Sequence, residues 1–167
     1  MNRYDGLADA VVVVTGAAHG LGATLAAGFA AQGARLVLND VDGDGLHAAA
    51  ARLGVGPDRV VLAPADLADV AVCQPLVQQA LDAFGQLDVL VNNAAVLGRA
   101  ALDDITPDVF DRVIAVNLRA PLFLSRAALA AMRPRRRGAI VNVASMAART
   151  GGTSDVYVYG ASKAGLL

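Results

Sequence analysis

Val11-Val12-Val13-Val14-Thr15-Gly16-Ala17-Ala18-His19-Gly20-Leu21-Gly22 decides the fold. Four consecutive β-branched residues read as a strand buried on both faces, because a half-exposed strand would alternate apolar and polar positions. After Thr15-Gly16, the residues Leu21, Leu25 and Phe29 recur at helical spacing and Gly33 closes the run, which predicts a helix. Between strand and helix stand Gly16, Gly20 and Gly22, spaced Gly-x-x-x-Gly-x-Gly. Such a turn lets backbone N–H groups approach a pyrophosphate, whose charge the helix N-terminus favours. Glycines alone can be turn chemistry; their place between a strand and a helix makes them a phosphate-binding candidate. A protonated His19 would lend that loop some positive charge, although a neutral loop histidine is the plainer reading.

The alternation continues downstream. Arg35–Asn39 reads as a second strand, with Asp42-Gly43-Asp44-Gly45 as a turn before a short helix over Ala48–Leu53. Val60–Ala63 is a third strand. Asp69 caps a helix whose stripe is Leu76, Val77, Ala80, Leu81 and Phe84, stopped by Gly85. Asp88–Val91 is a fourth strand. Thr106-Pro107 pairs an N-cap with proline at the first helical position and opens a long helix to about Met132. Pro121 should kink it. Ala139–Val143 is a fifth strand, and another helix begins near Tyr159. Strands alternating with helices through short connections predict an α/β fold with a Rossmann-type, doubly wound parallel sheet. With no repeat, low-complexity tract or linker, residues 1–167 read as a single dinucleotide-binding domain. The sequence stops within the last helix, at Gly165-Leu166-Leu167, so the domain is expected to be incomplete at its C-terminus.

Composition narrows the class. The chain is 56% hydrophobic but only 4% aromatic, which suits helices seated close on a sheet through small side chains. A net charge of −1 gives no electrostatic case for nucleic acid or a membrane surface. No uninterrupted apolar stretch approaches the ~20 residues that cross a bilayer. Arg133, Arg135, Arg136 and Arg137 read as a solvated basic loop, and His47 as an exposed helix residue. Cys73 is the sole cysteine, which excludes an internal disulfide and reads as an inert helix position. Asp5 and Asp9 make the first valine run too acidic, and it is too short, for a signal peptide. A cytoplasmic location and no metal site are expected.

Two further positions carry chemistry. Asp40 closes the second strand 18 residues after Gly22, where a carboxylate can accept both hydroxyls of an adenosine ribose and repel a 2′-phosphate. NAD is therefore expected rather than NADP. Tyr159-Gly160-Ala161-Ser162-Lys163 places a phenol and an ammonium one helical turn apart. The cation favours phenolate and draws the tyrosine pKa down from ~10, which is how tyrosine becomes a general acid/base. Tyr157 has Ala161 four residues on, so Tyr159 keeps the assignment.

Over its whole length the chain resembles the short-chain dehydrogenase/reductase family. The resemblance lies in Thr15–Gly22, Asp66-Leu67, Asn92-Asn93-Ala94-Ala95, Asn117, Ser145, Tyr159 and Lys163, in that order. It implies cofactor contacts at Gly16, His19, Gly20, Leu21, Gly22, Asp40, Asp66, Leu67, Asn93, Tyr159 and Lys163. It also implies hydride transfer between NAD and a secondary alcohol or ketone, the partner being a small-molecule substrate and neither nucleic acid nor membrane. By this resemblance Tyr159 is the general acid/base and Ser145 hydrogen-bonds the substrate oxygen. Lys163 lowers the tyrosine pKa and holds the nicotinamide ribose, and Asn117 anchors a proton-relaying water. The blander readings are a turn serine, a helix asparagine bonding its own backbone, and an N-cap at Asp66.

There are departures. Ala95 stands where the family has glycine, and Ser145 precedes Tyr159 by 14 residues, one more than usual. The family continues through two more strands with the substrate-closing loop between them, so those last strands are expected to be missing and the substrate is not readable. The alternative to turnover is a remnant that holds the dinucleotide without transferring hydride. The full-length form is expected to be a homodimer or homotetramer through the long helix and the helix of Tyr159. The 167-residue chain is expected to be marginally stable, with the fifth strand's edge uncovered.

Overall fold

A computed structural model describes residues 6–167; Asp5 lies outside the described residues. The valine run forms β1 (Val11–Thr15), buried along its whole length. β2 (Arg35–Asp40) pairs beside it, and β3 (Val60–Pro64) pairs outside β2. On the other side β4 (Val89–Asn92) pairs with β1, and β5 (Ala139–Asn142) pairs with β4. Every pairing is parallel, and the order is β3-β2-β1-β4-β5. The chain winds outward to β3, then returns past β1 to β4. Neighbouring carboxyl ends at β1 and β4 thus carry loops leaving in opposite directions, which opens a crevice there. The Rossmann-type expectation is met.

Both faces of the sheet are covered. Val12, Val14, Leu36 and Leu38 point to one face, where α1 (Gly20–Ala31) and α2 (Gly43–Ala51) bury Ala26, Ala30 and Leu46. The opposite face carries Val11, Val13, Val37 and Leu90. It is covered by α3 (Cys73–Phe84) and by a long helical run. That run comprises α4 (Pro107–Ile114), a π-helical turn (Ala115–Arg119) and α5 (Ala120–Met132). Two short helices follow β5, namely α6 (Ala147–Thr150) and α7 (Tyr157–Ala164).

Several sequence-based expectations are corrected. The stripe of α1 is not centred on Leu21, which is 54% exposed; the helix buries Gly22, Ala26 and Ala30 instead. Small residues let the helix axis approach the sheet more closely than leucines would. The supposed turn at Asp42–Gly45 is the first turn of α2, because the Asp42 carboxylate caps it by accepting from Gly45 N at 2.9 Å. Asp69 caps a short 3₁₀ turn ahead of α3 rather than α3 itself. At Pro121, where a kink is expected, the run carries a π turn just before the proline, with Ala120 N donating to Ala115 O. Proline supplies no N–H, and a widened turn absorbs the lost bond.

The basic loop is also more than a solvated surface. Arg135 Nη1 lies 3.1 Å and Arg137 Nε 3.8 Å from Asp88 Oδ1, and Asp88 is only 5% exposed. The same carboxylate accepts from Val11 N and Gln86 Nε2, so a buried charge is fully partnered at the amino end of the sheet. The helical run Pro107–Arg135 spans 29 residues and contains an 18-residue window of mean hydropathy 1.4, long and apolar enough by composition to cross a bilayer. Here the apolar side of α5 is spent on the sheet, through Leu124, Ala128 and Met132.

Candidate functional site

The glycine-rich turn is held from below by one hydroxyl. Thr15 Oγ1 donates to Val91 O at 3.2 Å and accepts from Asn93 N and Ala94 N, each at 3.0 Å. Asn93 Nδ2 then donates to Thr15 O at 2.9 Å and Gly16 O at 3.1 Å. The loop after β4 is thereby stitched to the loop after β1 across the crevice. Gly16 has φ +66°, and a Cβ there would come within 2.8 Å of Ala94 Cα. A Cβ on Gly22 would fall 1.9 Å from Gly16 O. Glycine at both positions is a steric requirement of that close approach.

Carboxylates line the rim. Asp40 ends β2 with Oδ2 accepting from Ala18 N at 3.0 Å and Oδ1 from Asp42 N at 3.1 Å. Each oxygen keeps a lone pair for a further donor. His19, the N-cap of α1, is exposed and its Nε2 lies 2.6 Å from Asp42 Oδ2. The bond from Gly45 N, and next that from His19, holds the Asp42 carboxyl below its ordinary range. Asp66 follows β3, and its Oδ2 accepts from Arg112 Nη1 of α4 at 2.6 Å while Oδ1 accepts from Ala68 N at 2.9 Å. Arg112 is the main cause of an Asp66 carboxyl held below the usual range. These groups enclose a cavity of about 260 Å³, lined among others by Gly16, Gly22, Asp40, Leu67, Asn93 and Val116. A larger recess of about 540 Å³ between α3 and α5 contains none of the sequence-predicted site residues.

The second cluster sits at the carboxyl end of β5. Lys163 on α7 is 2% exposed, and its Nζ donates to Val143 O at 2.7 Å while standing 5.8 Å from the centre of the Tyr159 ring. Burial pushes the lysine pKa down. Among the described residues the Tyr159 hydroxyl takes part in no hydrogen bond. Ser145 Oγ accepts from Ala147 N at 3.2 Å and starts α6, so the turn-serine reading holds locally. Its hydroxyl proton is not engaged by any described residue. Gly160 packs so closely on α6 that a Cβ would meet Ala147 O at 3.2 Å and Gly151 O at 3.1 Å.

Asn117 joins the two halves. Fully buried in the π turn, it accepts from Val96 N at 2.8 Å and donates to Val96 O at 2.9 Å and Ser162 Oγ at 3.1 Å. Val96 lines the cavity and Ser162 precedes Lys163 on α7. The asparagine side chain therefore bonds across the fold, to Val96 and Ser162, and to no described group of its own turn. Among the predicted residues, Gly16, His19, Leu21, Gly22, Asp40, Asp66, Leu67 and Asn93 all line the one cavity. Tyr159, Lys163, Ser145, Asn117 and Gly20 do not line it; Gly20 stands in the glycine loop with φ +53°.

Three contributors escaped sequence reasoning as site residues. They are Thr15, inside the glycine motif at the end of β1, Ser162, between Tyr159 and Lys163, and Arg112 in α4. Only Thr15 carried a local signal, its place at the carboxyl end of the central strand. A dinucleotide fits the residues present: a glycine turn that no Cβ could enter, helix N-terminal amides for a pyrophosphate, and a carboxylate at the β2 end for ribose.

A family model described as short chain dehydrogenase matches residues 10–167. An uncharacterized oxidoreductase of Mycobacterium bovis is 42% identical over 139 residues, 83% of this chain and 56% of the relative. A galactitol 2-dehydrogenase of Agrobacterium fabrum is 38% identical over 162 residues, 96% of this chain and 62% of the relative. A crystal structure of a metagenomic short-chain oxidoreductase in complex with NADP superposes with a TM-score of 0.88 at 37% identity, covering 96% of this chain and 72% of that one. The chain thus spans less than two thirds of the length of these two curated relatives. It belongs to the short-chain dehydrogenase/reductase family.

Proposed function

We propose that this chain carries the hydride-transfer half of an NAD-dependent dehydrogenase acting on a secondary alcohol or the corresponding ketone, with Tyr159 as general acid/base. The observation that carries the reading is the buried Lys163 ammonium beside the Tyr159 ring at the carboxyl end of the sheet. An ammonium withdrawn from water is costly unless its position serves something, and here it stands one turn from the phenol. Its Nζ has three donors, one of which goes to Val143 O, leaving two for ribose hydroxyls. When bound, the nicotinamide ring supplies the hydride acceptor or donor.

The protein's own share is positioning and proton transfer. The Tyr159 hydroxyl, free of hydrogen bonds among the described residues, gives a proton to a forming alkoxide or takes one from an alcohol. Ser145, whose oxygen accepts from Ala147 N, keeps its own proton to donate to the same substrate oxygen. Asn117 is assigned a positioning role, because its side chain is consumed by Val96 and Ser162.

The Asp40 carboxylate, pinned at the β2 end, supports NAD over NADP, since a 2′-phosphate would meet a negative charge. Polyols are the first substrate class to test, because one relative is named a galactitol 2-dehydrogenase. A homodimer or homotetramer is the assembly proposed for the whole protein. A screen of secondary alcohols and polyols with NAD, read by nicotinamide absorbance on the full reading frame, tests the function. Absence of NAD binding by calorimetry would overturn it at its root.

A further inference from the structure

We propose that Arg99 and Asp155 form a strap that sets the stance of the Tyr159 helix, and so act as positioning residues for the proton-transfer step. The inference rests on the role given to Tyr159 above. The loop that leaves β4 is fastened at three successive points. Val96 is gripped by the Asn117 side chain. Gly98, at φ +56°, lies against α4, where a Cβ would collide with Val113. The third point reaches across to the approach of α7: Ala100 N donates to Asp155 O at 2.9 Å, and Arg99 Nη1 donates to Asp155 Oδ2.

Asp155 stands four residues before Tyr159 and next to Val156, the N-cap of α7, which makes no side-chain capping bond. The entry to the helix is held through Asp155 instead. Thr153 Oγ1 donates to Asp155 Oδ1 at 2.6 Å, and Val156 N donates to Thr153 O at 3.2 Å. Gly160 N in turn donates to Val156 O at 2.9 Å, so the segment fixed by Asp155 runs directly into the turn that bears Tyr159. The tyrosine therefore lies between two tethers, Asp155 to Arg99 on one side and Lys163 to Val143 O on the other.

One backbone bond fixes a single point and leaves the loop free to swivel about it. A second bond to the same aspartate, from the side chain of the preceding residue, removes that freedom. The side chains of Arg99 and Asp155 are 62% and 39% exposed, so the pair is worth little to global stability. Nor is the arginine needed to ionise so accessible a carboxylate. What it supplies is direction, and proton transfer demands direction, because reacting atoms must stand within about 3–3.5 Å of each other.

The test uses the full-length protein, with hydrogen exchange over residues 157–161 read by mass spectrometry beside steady-state kinetics on NAD and a secondary alcohol. Arg99→Met is expected to speed exchange in that segment and to lower kcat about three- to tenfold, with KM, NAD affinity and melting temperature nearly unchanged. Arg99→Lys should recover part of the lost kcat. Adding Asp155→Asn to Arg99→Met should cost nothing further, since both substitutions break one contact. A merely structural pair would move the melting temperature and leave kcat alone. That result, or unchanged exchange in Arg99→Met, overturns the inference while sparing the dehydrogenase reading. Independent, multiplying losses from the two substitutions overturn it in the same way. A full-length wild-type protein that oxidises no alcohol of the screen overturns the role of Tyr159 and the inference together.

Discussion

The glycine turn after β1 and the tyrosine helix after β5 stand at the same end of one sheet, yet they are built on different footings. β1 lies at the centre, buried at all five positions, and the turn that leaves it is tied by Thr15 and Asn93 to the next loop. β5 lies at the edge, with three of its four residues exposed and Val141 at 46%. Its chemistry hangs from α7, which is positioned by the Lys163 bond to Val143 O and by Asn117 through Ser162. The proposed cofactor side is therefore held by the core, and the proposed catalytic side by a few specific hydrogen bonds. Substitutions on the first should damage stability and binding together. On the second, substitution of Tyr159 should separate catalysis from both.

The sharpest test of that contrast is Tyr159→Phe in the full-length protein. Turnover should fall by ~10²–10⁴, the usual worth of a general acid/base, with NAD affinity unchanged by calorimetry. Substantial remaining activity would remove Tyr159 from its role. Next in size is Gly22→Ala on the cofactor side. The added methyl would sit 1.9 Å from Gly16 O, against backbone that cannot yield. A loss of roughly 1–3 kcal/mol in denaturant unfolding, together with loss of NAD binding, is expected. A variant with wild-type stability and affinity would show the turn to be looser than described.

Asn117→Ala probes the link between the regions. It leaves Val96 N and O without their side-chain partner, so a cost of about 1–3 kcal/mol in thermal or urea unfolding is expected, alongside reduced turnover. Unchanged stability would argue that the clamp is dispensable. Asp40→Asn should be milder: the preference for NAD over NADP, set at about 1 kcal/mol or more by charge, should shrink without loss of fold. Equal affinity of the wild-type chain for both nucleotides would cancel the role given to Asp40.

The smallest effect is a slope. Burial lowers the Lys163 pKa from its ordinary 10.5, so just below that pH the unfolded chain holds a proton the folded chain has shed. Wild-type stability relative to Lys163→Met should therefore rise as pH climbs towards 10.5 and level off above it. Urea titrations between neutral and alkaline pH read this directly. A flat difference would mean that the ammonium is better solvated than its burial implies.

The strand and helix alternation was readable because each element repeats a local rule: a valine run, an N-cap with proline, a glycine stop. Gly16, Gly20, Gly22, Asp40, Tyr159 and Lys163 were singled out as candidates in the same way, from spacing within one turn or from the end of a strand. Where the reading slipped, the cause was a choice that local pattern leaves open. Leu21, Leu25 and Phe29 announce a helix, but which face meets the sheet was decided by Ala26 and Ala30, since closeness of approach is a property of the packed pair. The four arginines announce a charged loop, yet only the fold brings Arg135 and Arg137 to a buried Asp88 47 and 49 residues away. Asn117 and Ser162 lie 45 residues apart, and Asp66 and Arg112 46. No periodicity relates such positions. A side chain's partner across that distance is set by where parallel crossovers return the chain, and sequence alone determined the crossovers but not the contacts they close.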